Sequence, residues 1–231
     1  MKHAKKSAPP SATLALVRTC HLLYEKGMVV ATDGNVSVRL PNGNILTTRS
    51  GICKGTVTRN DLVEVSPQGD RIKGKGKPST ELAMHLFIYN QRPDVKAVVH
   101  AHPIHATGFA VAGIALDKLT LPEVIVGLGS VPLAAYATPS THEVADSLAP
   151  FVKSFDSILL ANHGVVSYGS DLRDAWHKME KVEQAAHIAL VARVLGGERV
   201  LTSEEVRKLA QVSPASYGKQ IPTTILHAIK T

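Results

Sequence analysis

The sequence predicts a single globular α/β domain. Segments with the apolar spacing of helices alternate with shorter, strand-like segments along the 231-residue chain. No linker, repeat or low-complexity segment divides the chain, so one domain is favoured over two smaller ones. Apolar residues make up 44% of the sequence but form no run long enough to cross a membrane, which predicts a soluble protein with a sizeable core.

The N-terminus and the cysteines indicate the setting in which the protein works. Residues 1–12 combine three lysines with serine and proline and contain no apolar segment. This composition predicts a disordered basic tail rather than a signal peptide, followed by the folded domain at residues 13–231. Cys20 and Cys53 are the two cysteines and form no Cys-x-x-Cys pair, which argues against a disulfide framework and predicts a cytoplasmic location.

The formal net charge of +7 raises the question of an anionic partner. Four cations lie in the glycine-rich segment 69–78, and they are Arg71, Lys73, Lys75 and Lys77. The segment has no aromatic residue on which bases could stack, which argues against nucleic acid. It is not a Walker A motif either, because Gly76 stands where Ser or Thr is required. Attraction of a small anionic substrate and a merely solvated loop are the two remaining interpretations.

The first part of the domain predicts a helix followed by a β-hairpin. The first apolar-periodic segment predicts a helix that ends at Gly27. A Gly34-Asn35 turn precedes an alternating strand, and residues 41–44 predict a hairpin turn into a second strand at residues 45–48. The next stretch, Arg49-Ser50-Gly51-Ile52, is either an ordinary turn or a place where backbone amides approach an anion closely.

A second helix is predicted at residues 82–89. Ser79 or Thr80 is expected to cap its free amides, and Glu81 in the first turn suits the helix dipole. The same helix start is also suited to binding a phosphate group beside a carboxylate. His85 lies one turn further on the same face, where packing is a simpler explanation than metal binding.

The stretch Val98-Val99-His100-Ala101-His102-Pro103 combines strand-forming residues with two imidazoles. Side chains alternate along a strand, so His100 and His102 share one face and leave the backbone roughly 6 to 7 Å apart. Pro103 then ends the strand. The pair has two explanations, since both imidazoles can be satisfied at a strand edge or can bind one metal ion.

A third histidine belongs to the second informative stretch, residues 157–169. An apolar strand, a break at Asn162-His163-Gly164 and a return strand follow one another. A histidine at such a break can project into a cleft at the edge of the sheet. Together with the pair on the other strand it would complete a tetrahedral metal site with one open position, although spacing alone also allows an unrelated turn histidine.

The remaining segments complete the predicted order of elements. They are a strand at 61–65, a short helix at 104–113, strands at 121–126 and 131–133, a helix after a capping box at 140–143, a long helix at 171–195, a second capping box with a short helix at 202–210, and an irregular C-terminus from residue 214.

Five short motifs occur in one order along the chain, and together they resemble the class II aldolase/adducin family, most closely its fuculose-phosphate aldolases. The motifs are Gly34-Asn35-Val36-Ser37-Val38-Arg39, Ser50-Gly51, Pro78-Ser79-Thr80-Glu81, His100-Ala101-His102 and Asn162-His163-Gly164. The resemblance extends from about Leu14 to Tyr217, which is nearly the whole chain without its basic tail.

The resemblance implies a role for ten residues. The positions that match the family's zinc ligands are His100, His102 and His163, and another divalent metal such as Mn²⁺ or Co²⁺ is an alternative. Glu81 matches the catalytic acid/base carboxylate. The positions that match the phosphate pocket are Asn35, Ser50, Gly51, Ser79 and Thr80. Tyr217 matches a C-terminal tyrosine that reaches the active site of a neighbouring subunit.

The fold implied by the resemblance is a three-layer α/β/α domain with a central, mostly antiparallel sheet, assembled as a homotetramer. The implied function is a zinc-dependent aldolase that cleaves a ketose 1-phosphate to dihydroxyacetone phosphate and an aldehyde, without a nucleic-acid or membrane partner. A sugar-phosphate 4-epimerase, a methylthioribulose-1-phosphate dehydratase and a non-catalytic adducin-like interaction domain are the alternatives.

One departure leaves the substrate open. The fuculose-phosphate aldolases carry a tyrosine where this chain reads Leu121-Pro122-Glu123, in the region that handles the aldehyde. The expected substrates are therefore L-fuculose 1-phosphate or a 5-deoxy- or methylthio-pentulose 1-phosphate.

Overall fold

The computed structural model describes residues 11–229. Its helices are α1 (Ala12–Glu25), α2 (Leu82–Gln91), α3 (Ile104–Val111), α4 (Pro122–Gly127), α5 (Glu143–Leu148), α6 (Leu172–Val194), α7 (Ser203–Tyr217) and α8 (Thr223–Ala228). Its strands are β1 (Asn35–Arg39), β2 (Ile45–Thr48), β3 (Leu62–Val65), β4 (Arg71–Lys73), β5 (Ala97–Ala101), β6 (Leu133–Ala134), β7 (Ser157–Leu160) and β8 (Gly164–Gly169). The predicted basic tail, residues 1–12, lies outside the described range except for Ser11 and Ala12, which begin α1.

All eight strands form one sheet in the order β4-β3-β2-β1-β5-β8-β7-β6. Every neighbouring pair is antiparallel except β6 and β7, which run parallel. The prediction of a mostly antiparallel central sheet is therefore confirmed. At its centre, Asn35 of β1 lies opposite His100 of β5, and His100 lies opposite Val166 of β8.

Helices cover both faces of the sheet and make the three layers that were expected. On one face, α1, α3 and α6 bury a cluster that includes Leu16, Phe109 and Trp176. On the other face, α2 and α5 bury a second cluster that includes Ile88 and Leu148. The central strands β5, β7 and β8 are buried along their whole length, as expected for strands covered on both sides.

A smaller cluster joins α4, α7 and α8, and here the element prediction was wrong. Residues 121–126 form a helix rather than a strand, because Pro122 occupies the first helical position, where its fixed φ and missing N–H are tolerated. The predicted irregular C-terminus contains most of the last turn of α7 and all of α8. Pro214 lies within α7 and has no N–H to donate to the Ala210 carbonyl four residues earlier. Ser213 Oγ donates to that carbonyl instead, at 3.4 Å.

The helix after residue 140 also differs from its prediction. It begins at Glu143 and ends at Leu148, with no side-chain cap. Ser140 takes a left-handed conformation with φ of 66°, and Glu143 Oε2 accepts instead from the Thr138 amide at 2.8 Å, so no capping box forms. None of the described helices is both long and apolar enough to cross a membrane.

Candidate active site

Three histidines from two places in the sheet converge on one point. His100 lies in β5, His102 follows it by two residues, and His163 lies in the turn between β7 and β8. One nitrogen of each ring lies within 4.8 Å of the corresponding atom of the other two. The turn itself depends on Asn162, which adopts a left-handed conformation with φ of 57°. The structure thus brings together the three histidines that the sequence singled out.

The hydrogen bonds of these rings fit a divalent cation. His100 Nδ1 lies 2.9 Å from the Val165 carbonyl, which can only accept, so this nitrogen carries a proton and Nε2 is the nitrogen available to a metal ion. His100 Nε2 faces His102 Nε2 at 3.1 Å. His102 Nδ1 lies 3.7 Å from a carboxylate oxygen of Asp33. Two of the three rings thus have a backbone carbonyl or a carboxylate on the side away from the cluster, which is the usual arrangement of metal-binding histidines.

The Glu81 carboxylate lies against the same histidines. Its two oxygens are 3.3 Å from His100 Nε2 and 3.2 Å from His163 Nε2. Asn35 Nδ2 donates to Oε2 at 2.8 Å and fixes its orientation. Burial favours the neutral acid, but the His100 and His163 imidazoles outweigh it and hold the pKa of Glu81 far below its usual range.

The backbone before α2 positions Glu81 differently from the prediction. Glu81 is itself the N-cap residue and makes no side-chain cap bond, which frees its carboxylate to face the histidines. Ser79 Oγ accepts from the Glu81 amide at 3.3 Å, so the serine orders the turn and does not cap the helix amides further along. Thr80 is exposed beside it.

Below Glu81, β1 and α2 face each other through a ladder of polar pairs. Every second residue of β1 meets every fourth residue of the segment that runs from Glu81, the N-cap, into α2, and the two repeats match because both advance roughly 6 to 7 Å. The pairs are Asn35 with Glu81, Ser37 with His85, and Arg39 with the Tyr89 carbonyl. His85 is a packing residue in this ladder, as the simpler explanation had it, and lies outside the histidine cluster.

The residues expected to form a phosphate pocket come from three neighbouring segments. Ser50 and Gly51 follow β2, and both are exposed. The Ser50 amide donates to the Lys77 carbonyl at 2.9 Å, and the Ser79 amide donates to the Thr48 carbonyl at 3.3 Å, so the chain before α2 runs beside the loop after β2. Asn35 is connected to this region through Glu81.

The basic segment 69–78 contains one element that the sequence did not predict. Its central residues form the short edge strand β4, whose side chains are all exposed. Through the Lys77 carbonyl the segment borders the loop after β2, so it lies beside the predicted phosphate-binding residues.

The remaining predicted site residue, Tyr217, lies at the surface of the chain. It is the last residue of α7, its side chain is 42% exposed, and it forms no hydrogen bond with the other described residues. Within one chain it therefore belongs to the surface.

Sequence reasoning missed Asp33, whose carboxylate lies behind His102. The available signal was its position directly before the Gly34-Asn35 turn. Gly34 is required there because a Cβ would come within 2.7 Å of the His100 carbonyl, and this close approach brings Asp33 to the histidines.

Comparison with known proteins agrees with this geometry. The family model described as Class II Aldolase and Adducin N-terminal domain matches residues 14–190. The chain is 33% identical over 201 residues to the 3-oxo-tetronate 4-phosphate decarboxylase of Escherichia coli K12, covering 84% of this chain and 92% of that protein. It is 37% identical over 175 residues to the L-fuculose phosphate aldolase of Methanococcus maripaludis C7, covering 74% of this chain and 92% of that protein.

A solved structure points the same way. An L-fuculose 1-phosphate aldolase superposes with a TM-score of 0.81 at 30% identity, over 90% of this chain and 98% of that one. The fold, the family model and the identity to these relatives extend over most of the chain. The chain therefore belongs to the class II aldolase and adducin N-terminal domain family.

Proposed function

We propose that the protein is a divalent-metal-dependent lyase, with zinc as the expected metal, that cleaves a carbon–carbon bond in a phosphorylated sugar or sugar acid and releases dihydroxyacetone phosphate. The observation that carries this proposal is the convergence of three imidazole nitrogens within 4.8 Å, with the Glu81 carboxylate against two of the rings. Three histidine ligands leave one tetrahedral position for substrate, as in catalytic zinc sites.

His100, His102 and His163 would hold the metal. When bound, a divalent cation acts as a Lewis acid that stabilises negative charge developing on nearby substrate oxygens. The carbonyl of Val165 and the carboxylate of Asp33 would keep two of the rings in the required orientation.

Two substrate classes lead to the same intermediate and the same product. Retro-aldol cleavage of a ketose 1-phosphate breaks the C3–C4 bond, and the C4 hydroxyl loses its proton and becomes the aldehyde. Decarboxylation of 3-oxo-tetronate 4-phosphate, the substrate in the name of one relative, breaks the bond to the carboxylate and releases CO₂. In both reactions the bonding electrons stay on the remaining carbon and form the enediolate of dihydroxyacetone phosphate.

Glu81 would return a proton to that carbon, or remove it in the direction of synthesis. A positioned acid/base group contributes on the order of 10²- to 10⁴-fold to the rate. The Asn35 amide holds the carboxylate at 2.8 Å, so it would need little reorganisation as the proton moves.

The substrate phosphate would bind to Asn35, Ser50, Gly51, Ser79 and Thr80. Exposed backbone and hydroxyl groups after β2 and before α2 suit an anion that enters from solvent. Thr48 Oγ1 is buried beside them and has no partner among the described residues, so a further donor is available there. Binding a non-reacting phosphate would position the reacting carbon over the histidines.

Tyr217 would act in the site of a neighbouring subunit of a homotetramer. Its exposed position at the end of α7 is compatible with a contact to another chain. There it would accept the C4 hydroxyl proton during cleavage and donate to the aldehyde oxygen during synthesis. The two free cysteines agree with action in a reducing cytoplasm.

One panel of substrates tests the proposal and separates it from its rivals. The zinc-reconstituted protein would be offered L-fuculose 1-phosphate, 5-deoxyribulose 1-phosphate, methylthioribulose 1-phosphate, 3-oxo-tetronate 4-phosphate and L-ribulose 5-phosphate. Release of dihydroxyacetone phosphate, abolished by a chelator and restored by metal, is the expected result. Epimerised or dehydrated product instead would assign one of the two alternatives, and no turnover of any substrate would favour a non-catalytic interaction domain.

A further inference from the structure

Lys54 is a buried cation that no carboxylate of the described residues contacts. Lys54 is only 1% exposed to solvent. Its Nζ donates to the carbonyls of Thr32 at 2.9 Å and Ile52 at 2.7 Å. No carboxylate among residues 11–229 forms an ion pair with it. Burial lowers the pKa of Lys54, as expected for an ammonium that has lost its hydration.

A second buried lysine, Lys178, shows how a buried ammonium is usually neutralised by carboxylates. Lys178 is 9% exposed, and its Nζ lies 2.9 Å from carboxylate oxygens of both Asp156 and Asp174. Buried charges are normally paired in this way because desolvation is costly. Lys54 has no such contact, and the Asp33 and Glu81 carboxylates stabilise its charge only from a distance, which leaves that charge available to an anion that binds nearby.

The two carbonyls that Lys54 holds belong to the loops that lead to the proposed phosphate pocket. Thr32 lies three residues before Asn35, and Ile52 directly follows Gly51. In a trans peptide the C=O and the following N–H point in opposite directions, so the Ile52 carbonyl turned toward Lys54 directs the Cys53 amide away from it. The amides of Gly51 and Cys53 donate to no backbone acceptor within the described range, and a hydrogen bond from an ammonium polarises such a peptide further.

We propose that Lys54 is the buried counter-charge of the phosphate pocket, a positioning residue that holds the loop of residues 50–55 from behind while the phosphate dianion binds in front. This role rests on the proposed function for the location of the phosphate. It adds a charge to a pocket otherwise made of amide and hydroxyl groups. At a separation of several ångströms and a protein-like dielectric, one such charge changes the affinity for an anion by roughly 10-fold or more.

The test separates the contribution of the Lys54 charge from that of its hydrogen bonds. Lys54→Gln keeps N–H donors for the two carbonyls but removes the charge, whereas Lys54→Arg keeps the charge. Inorganic phosphate binding would be measured by calorimetry and by the shift in Tm, on metal-free protein so that phosphate cannot bind the metal. Lys153→Gln removes an exposed lysine and serves as the matched control.

The expected result is a loss of phosphate affinity of about 10-fold or more in Lys54→Gln, with Lys54→Arg and Lys153→Gln within about 3-fold of wild type. Phosphate binding that is unchanged in Lys54→Gln, or absent from the wild type, would overturn the inference.

A measurement on the wild type decides the question even if Lys54→Gln does not fold. Titration of ¹³C-labelled lysine by NMR should show that phosphate raises the pKa of Lys54, and a pKa that phosphate does not change would reject the role. The outcome is independent of turnover. A protein that binds phosphate through Lys54 but cleaves no substrate keeps this inference and loses the proposed function.

Discussion

In the structure the Glu81 carboxylate lies 3.3 and 3.2 Å from nitrogens of His100 and His163, which are also the atoms proposed to bind the metal. The Glu81 carboxylate and a metal ion would therefore compete for the same imidazole nitrogens. We expect a cation among the imidazoles to displace the carboxylate toward the substrate, with the Asn35 amide still on one oxygen.

Replacing Glu81 by Gln should separate metal binding from turnover. The three histidines are untouched, so the variant should retain about one divalent metal per chain, while turnover falls by roughly 10²- to 10⁴-fold because an amide cannot exchange the proton. Elemental analysis and release of dihydroxyacetone phosphate measure the two effects. Glu204→Gln, which changes an exposed glutamate of α7, is the control. Full turnover in Glu81→Gln would remove its acid/base role.

Two histidines three residues apart allow an internally controlled test of the metal site. His102 lies in the histidine cluster, whereas His105 Nδ1 lies 2.7 Å from Glu183 and its ring stacks on His187. His102→Ala should lose metal after zinc reconstitution, and His105→Ala should retain it, because only the first loses a converging nitrogen. Equal metal content in the two variants would argue against the proposed ligand set.

At the scale of elements, the polar ladder between β1 and α2 makes stability depend on pH. His85 is completely buried, and burial lowers its pKa from 6.5 to about 3, with the His100 charge acting in the same direction. Between these two values the unfolded imidazole binds a proton that the folded one does not. The stability of the folded state is therefore full above about pH 6.5 and falls as the pH falls toward 3.

The metal-free wild type should lose about 2 kcal/mol of unfolding free energy between pH 7 and pH 5 through His85 alone, at roughly 1.4 kcal/mol per pH unit below 6.5. His85→Leu should show a correspondingly flatter pH dependence, whatever its absolute stability. Urea unfolding at several pH values measures both. His142→Leu, at an exposed position before α5, should keep the wild-type slope. A slope that is the same in all three proteins would contradict the assignment.

The elements that the sequence predicted well are those whose ends carry local signals. The stop of α1 before Gly27, the long helix α6 after Asp171 and the capping box of α7 at Thr202 and Glu205 all occur as predicted. Each depends on side chains within four residues. The strand predicted at 121–126 became α4 because the local apolar run is compatible with both structures, and contact with α7 and α8 favours the helix.

The candidate site was predictable only in part for a related reason. The sequence could indicate that His100 and His102 share a strand face, but the pairing of β5 with β1 and β8 is long-range and leaves no local signal. That pairing sets Asn35 opposite His100 and brings the His163 turn beside them. Lys54 was missed because a lysine in a polar loop gives no indication that it is buried.

At the scale of the whole molecule, the single chain leaves Tyr217 at its surface, away from any hydrogen bond with the described residues. Aldol cleavage needs a group that takes the proton of the C4 hydroxyl, and decarboxylation does not, because CO₂ leaves without one. Tyr217→Phe should therefore slow cleavage of a ketose 1-phosphate by about 10²-fold or more and change decarboxylation of 3-oxo-tetronate 4-phosphate by less than about 3-fold. Dihydroxyacetone phosphate is the readout for both.

Hybrid assemblies test whether the tyrosine comes from a neighbouring subunit. Tyr217→Phe and Glu81→Gln chains are each impaired in aldol cleavage, but a site at their interface can combine an intact Glu81 from one chain with an intact Tyr217 from the other. Random mixing after co-refolding should restore about a quarter of the wild-type sites, because each intact group is present with a probability of about one half. If Tyr217 served the site of its own chain, no mixed assembly would contain a complete site, and the aldolase activity of the mixture would stay at the average of the two variants.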